Sequence, residues 1–242
     1  MSPATLDDTA RVPAFLLAAL LPAYPDPRFV LRVGELLEGD ASAHGLGAIT
    51  AGSWPALRTE LEILARDPAR QEELRSDHLA LFDCGAAAHP LYETEYGRAR
   101  ALAKGNELAD IAGFYRAFGL ELGAGGTDPE MPDHAAVELE FYAVLLMKSA
   151  KLASLADGAG QEIVLAARKK FLAHHLGRFL PALAARPAVA NHPFYGLALG
   201  FCRDLVAEEC ARIGVTPETV AWVEGESEPA AVVCGEAQKG LR

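Results

Sequence analysis

The sequence predicts an all-α protein built as a single helical-bundle domain, and three observations predict it. Alanine and leucine dominate while β-branched residues are sparse, a bias that favours helix. Apolar residues recur at helical spacing in several long stretches. No stretch alternates apolar and polar residues with the period of two that a half-buried strand shows. At 242 residues, 51% of them hydrophobic, the chain is long enough and apolar enough to bury one sizeable core.

Val12 to Leu21 reads as the first helix, broken by Pro22, Pro25 and Pro27. Arg28 to Leu37 reads as the second and Gly39 to Gly47 as a loop. A third begins near Ser53, with Ser53 as N-cap and Pro55 in the first turn, and ends before Asp67-Pro68. A fourth covers about Ala69 to Phe82. A loop from Asp83 to Pro90 then delivers Leu91-Tyr-Glu-Thr-Glu-Tyr96.

A helix from about Asn106 to Leu122 carries Leu108, Ile111, Tyr115, Phe118 and Leu122 on one stripe, and Gly123 to Gly126 stops it. The next starts at Pro132-Asp133 and runs to about Leu155, with Val137, Phe141, Val144, Leu145, Leu152 and Leu155 on a broad apolar face. Gln161 to Leu183 is a further helix with a bend at Pro181, and Pro193 to Ile213 is the last long one. The domain therefore spans residues 1–223. Residues 224–242, rich in Gly, Glu, Ser and Pro, read as a mobile tail.

The formal net charge of -11 disfavours nucleic acid, which needs clustered lysine and arginine, and disfavours anionic membrane surfaces. It suits a basic partner, although acidity also serves plain solubility. The N-terminus is acidic where a secretory signal needs a basic start. The apolar run Ala14 to Leu21 is too short to span a bilayer. A cytoplasmic protein without stable membrane insertion is expected, as a monomer or homodimer. Of the four cysteines, Cys84, Cys202, Cys210 and Cys234, none forms Cys-x-x-Cys. Cys202 and Cys210 share a helix face, which points to packing.

Enzyme signatures are missing. The chain has no dinucleotide-binding or phosphate-binding glycine loop and no nucleophile elbow. No Glu has a His three positions later, the pattern of a di-iron bundle. His134 and Glu138 lie one helical turn apart, as do Glu130 and His134, and capping or ion pairing is the simpler reading of them. In His174-His175 the side chains diverge by about 100°, so one packed and one exposed histidine is the reading preferred. No catalytic residue, metal ligand or cofactor is assigned.

From Glu121 to Met147 the chain holds Glu121, Asp128, Glu130, Asp133, Glu138 and Glu140, with no arginine or lysine. Such a run is usually a solvated face. Beside a strongly apolar helix it also describes an acidic rim on an apolar groove, suited to a peptide with a basic end and an apolar stretch. Twin-arginine export leaders have that composition.

These residues resemble the TorD/DmsD/NarJ-like redox-enzyme maturation chaperones. Pro90 followed by Leu91-Tyr-Glu-Thr-Glu-Tyr96 looks like the family's Tyr-Glu-Ser/Thr-x-Tyr segment, and Tyr115 to Gly119 like its Tyr-x-x-x-Gly element. Pro132-Asp-His-Ala-Ala-Val-Glu-Leu-Glu-Phe141 is close to its Pro-Asp-His-Ile-x-x-Glu-Leu-Glu-Phe signature. Phe171-Leu-Ala-His-His-Leu176 and Phe194-Tyr195 look like later elements, with Phe179 where the family often has Trp.

The resemblance implies a non-enzymatic chaperone that binds the apo catalytic subunit of a molybdopterin oxidoreductase, often through its twin-arginine leader, until cofactor insertion is complete. His89 to Gly97 looks like the branch serving enzymes of the dimethyl sulfoxide reductase type, such as selenate or chlorate reductases. Client or leader binding is expected at Tyr92, Glu93, Tyr96, Tyr115, Asp133, His134, Glu138 and Phe141. On Asp133, at the expected helix start, capping and acceptance of a basic leader both stay open. Two rivals remain. One is a helical metal-dependent enzyme using His134, Glu138 and His174 or His175. The other is a structural delta-type subunit that stays in a membrane reductase.

Overall fold

The computed structural model describes residues 3–38, 52–83, 89–97, 100–120 and 130–221, and these are helical with no strands among them. The expected all-α class holds. The loop at Gly39 to Gly47, the Gly123 to Gly126 stop and the tail at 224–242 lie outside the described residues.

Helix α1 is Pro3–Leu20, α2 Phe29–Glu38, α3 Trp54–Arg66 and α4 Pro68–His78. After a π-turn at Leu79–Asp83 and a 3-10 turn at Glu93–Glu95 come α5, Arg100–Ala117, and α6, Ala135–Ser154. Then follow α7, Gly158–Phe171, a second π-turn, Leu172–Leu176, α8, Gly177–Ala184, α9, Pro187–Ala190, and α10, Tyr195–Ile213. Helix α6 is central: α1 lies along it and α7 packs beside it, while α10 packs on α8 and touches α1 and α3. The core is aromatic, with Phe141 stacked among Tyr115 at 4.7 Å, Phe171 at 4.9 Å and Phe118 at 6.0 Å between ring centroids.

Several boundaries differ from the expected ones, each for a physical reason. Helix α1 starts nine residues before Val12 and carries Pro13 in its interior. Long-range pairing of the buried Asp8 outweighs the local penalty of the proline: Arg168 donates to both its oxygens at 2.8 and 3.1 Å, and Ser149 adds a third bond at 2.7 Å. Helix α5 ends at Ala117, because Gly119 adopts a left-handed φ of +74° and Leu120 N–H closes on the Tyr115 carbonyl at 2.9 Å.

The bend expected at Pro181 lies instead at Leu172–Leu176, where the widened turn aims His175 at Glu93. His175 is buried and His174 exposed, the division read from the tandem pair. Gly177 follows at once, and only glycine fits there, since a Cβ would sit 2.4 Å from Pro217 Cγ. Ser53 precedes α3 as expected, yet its side chain makes no capping bond. Cys202 and Cys210 are both buried in α10, in keeping with packing.

A cluster of buried charge joins α1, α6, α7 and α10. Arg168 bridges Asp8 and Glu209, reaching Glu209 at 2.6 Å, and Arg212 also binds both acids at 2.6 and 2.9 Å. Tyr142 donates to Glu209 at 2.7 Å, and Arg11 approaches it to 2.7 Å as an ion pair. Burial alone would raise the Glu209 carboxyl. The hydrogen bond from Arg212 and the charges of Arg168, Arg212 and Arg11 win, and hold it at about 2.

Candidate functional site

The segment 89–97 is tied to the start of α6. Glu93 N–H donates to the Asp133 carbonyl and Ala135 N–H to the Leu91 carbonyl, each at 2.8 Å, which makes an antiparallel bridge between Tyr92 and His134. Tyr115 O–H donates to the Pro132 carbonyl at 2.6 Å and Tyr96 O–H to the Pro90 carbonyl at 2.8 Å. These two tyrosines lock the loops on either side of the bridge.

The helix start differs from the expected one. Helix α6 begins at Ala135, and its N-cap is His134, whose Nδ1 accepts from Ala136 N–H at 3.1 Å. Leu91 and His134 thus satisfy two of the free N–H groups of the first turn. Asp133 is left outside the helix and is no cap. Its carboxylate is buried and accepts from Thr94 Oγ1 at 2.6 Å and Thr94 N–H at 3.3 Å. It clamps the segment 89–97 to α6.

One turn into α6 a carboxyl pair is buried. Glu138 is fully enclosed, and neither of its oxygens has a hydrogen-bond partner if it is charged. Burial, and then the neighbouring Glu93, drive its carboxyl well above the ordinary carboxylate range. A proton on Glu138 would let it donate to Glu93, whose Oε1 has no other hydrogen-bond partner. Glu93 Oε2 accepts from His175 Nδ1 at 2.9 Å, and Arg178 stands 3.7 Å from Oε1.

All eight residues expected to bind the client are therefore brought to one region. Seven of them, Glu93, Tyr96, Tyr115, Asp133, His134, Glu138 and Phe141, are buried. Their side chains build the wall of a site more than its surface. Tyr92 and His134 also line a pocket.

The open surface beside them is a groove of about 490 Å³ between α1, α2 and the start of α6. Leu16, Leu20, Leu36 and Val137 supply an apolar floor, and Glu35, Glu130 and Glu140 stand exposed at its edges. Arg32 is the cation lining it, and it is paired with Asp26 at 3.0 Å. The acids read from the sequence divide here. Glu130 and Glu140 line the groove, Asp133 and Glu138 lie inside the wall, and Glu121 and Asp128 are outside the described residues. Sequence reading missed the contributions of α1 and α2, whose leucines look like ordinary core residues until the floor is seen to have no covering helix among the described residues.

Among the described residues no group of three or more His, Cys, Asp and Glu side chains is arranged to hold a metal ion. No helix among them is long and apolar enough to cross a membrane.

Comparison with known proteins adds three findings. The profile of the nitrate reductase delta subunit family matches residues 45–185. The selenate reductase assembly chaperone protein of Thauera selenatis is 35% identical over 170 residues, which cover 68% of this chain and 81% of that protein. The chlorate reductase assembly chaperone protein of Ideonella dechloratans is 30% identical over 155 residues, covering 63% of this chain and 77% of that one.

Proposed function

The chain belongs to the nitrate reductase delta subunit family, and on that footing we propose that it is an assembly chaperone for the catalytic subunit of a molybdopterin-containing reductase. The protein is a binding partner of its client and not an enzyme. It acts in the cytoplasm on the apo subunit, gripping the twin-arginine leader and withholding export until the cofactor is inserted. The names of its two relatives as assembly chaperones support the first part. The observation that carries the second is the groove, with an apolar floor for the leader's apolar stretch and Glu35, Glu130 and Glu140 for its basic end. Apolar contact supplies affinity and exposed charge supplies orientation and rate.

Pull-downs from cells with and without molybdopterin synthesis test the reading. The apo catalytic subunit is recovered and the cofactor-loaded one is not, whereas equal recovery of both sinks it. Calorimetry with a leader peptide tests the groove. Affinity falls as salt rises, because exposed charges are screened within about 8 Å at physiological ionic strength. It does not vanish, because the apolar part is insensitive to salt. Val137→Asp, placed on the groove floor, abolishes binding while the fold persists.

The family's description as a delta subunit favours one second reading, a structural subunit that stays with the mature reductase. Stable co-purification with the cofactor-loaded enzyme would establish that reading instead.

A further inference from the structure

Behind His134, and sharing Tyr24, Glu130 and His134 with the groove, lies a second, smaller cavity of about 120 Å³. Its walls are aromatic: the Tyr24 and Phe82 rings stand edge-on to His78 at 5.4 and 5.0 Å, and Tyr92 stands edge-on to His134 at 5.2 Å. Three of its polar side chains, His78, Asp83 and Glu130, offer acceptors. His78 Nε2 donates to the Pro22 carbonyl at 3.2 Å, which leaves Nδ1 as a lone pair. That nitrogen is buried and has no hydrogen-bond partner. It faces the Asp83 carboxylate at 3.7 Å, too far for a bond and acceptor against acceptor. Glu130 uses one oxygen on Tyr92 O–H and Met131 N–H and keeps the other. Among the described residues no lysine or arginine lines the cavity.

Such a site lacks a planar cation with several N–H donors. We propose that this cavity is a guanidinium-binding subsite, which takes one arginine side chain of the peptide whose apolar stretch occupies the adjoining groove. The assignment rests on the groove reading for the peptide and adds the residues that select its basic end. A guanidinium has enough N–H donors, fixed in one plane, to reach His78 Nδ1, Asp83 and Glu130 while its faces meet aromatic rings, which an ammonium cannot do in the same geometry. Burial pushes the imidazoles of both His78 and His134 below their ordinary value, so the cavity stays free of positive charge and ready for a cation.

Two probes test this separately from the groove. The first is a synthetic peptide with two adjacent arginines ahead of a leucine- and alanine-rich stretch, together with its dilysine counterpart. The native protein binds the arginine peptide about tenfold more tightly, the value of one charge-assisted hydrogen bond. The double variant Asp83→Asn, Glu130→Gln binds both peptides alike. The second probe is N-acetyl-arginine methylamide, which has no apolar stretch and does not need the groove. It shifts the ring resonances of His78, and the lysine analogue does not.

A response of His78 to the arginine amide with no binding of either peptide keeps the subsite and removes the groove reading. Equal affinity for the two peptides, with His78 silent to the arginine amide, overturns the subsite and leaves the groove reading standing.

Discussion

Helix α6 carries two clusters of buried charge at different heights, and they are built to opposite rules. At Tyr142 and Ser149 it meets the cluster of Asp8, Arg168, Glu209 and Arg212, where two carboxylates face several guanidinium groups and the acid oxygens are bonded. At Glu138, one turn nearer the groove, carboxyl faces carboxyl, and the groups in reach of Glu93 are the His175 ring at 2.9 Å and Arg178 at 3.7 Å. The first cluster fastens four helices together with its charges balanced. In the second, burial and the neighbouring Glu93 push the Glu138 carboxyl well above the ordinary carboxylate range. Buried charge of the first kind is a fastening; of the second kind it is a strain held against the wall of the groove.

The sharpest way to break the comparison is to remove the shared cation of the balanced cluster. Arg168→Met leaves Asp8 and Glu209 buried without their main partner, and chemical unfolding should show a loss of about 3–5 kcal/mol. A loss under about 1 kcal/mol would mean that Arg212 and Arg11 suffice.

Acid titration comes next. Glu209 ionises well below its unfolded value, so its charge stabilises the fold at neutral pH. That contribution, on the order of 3 kcal/mol, is lost as pH falls from about 5 to about 2. Denaturation midpoints followed through that range should drop steeply in the native protein and much less in Glu209→Gln, measured from its own lower starting point.

The clamp between the two loops should matter less. Thr94→Val removes both the hydroxyl bond to Asp133 and any replacement for it, and should cost about 1–3 kcal/mol. Asp133→Asn keeps one acceptor and should cost less than Thr94→Val. Were Asp133 a helix cap, Thr94→Val would be nearly silent, and melting curves of the two variants decide between the roles.

The smallest effect should have the opposite sign. Glu138 holds its proton above the unfolded carboxyl value, so it favours the fold at acidic pH and that benefit is lost as pH rises. Glu138→Gln donates to Glu93 without needing a proton. Its melting temperature relative to the native protein should therefore climb by a few degrees between pH 5 and pH 8. A difference that stays flat with pH would show that Glu138 carries no displaced proton.

Much of this molecule was legible before its structure. Helical class follows from local composition and period. The positions of α2, α3 and α10 fall within a residue or two of expectation because capping, proline and glycine signals are local. The motifs around Tyr92, Tyr115 and Asp133 pointed to the family that the comparisons show, and the structure gathers those motifs in one place.

What failed was the role of individual side chains within the gathering. Asp133 has the sequence of a cap, since an acid beside a proline before an apolar run is a good helix start. It loses that role to His134, because Thr94, 39 positions earlier in the chain, takes the carboxylate. Helix α1 likewise runs through Pro13 because Arg168, 160 positions later, holds Asp8.

The sequence by itself determined the helical class, the family, the acidic character of the segment before α6, and the split between one packed and one exposed histidine at positions 174 and 175. Each of these depends on residue type and on spacing within a few turns. Only the tertiary structure decided which acids face the groove and which are sealed behind it. It alone brought Leu16, Leu20 and Leu36 under Glu130 and Glu140, and His78 up to Glu130 and His134. Burial and pairing are set by partners far away in the chain. A carboxylate near an apolar helix becomes a rim, a clamp or a trapped acid according to what those partners offer it.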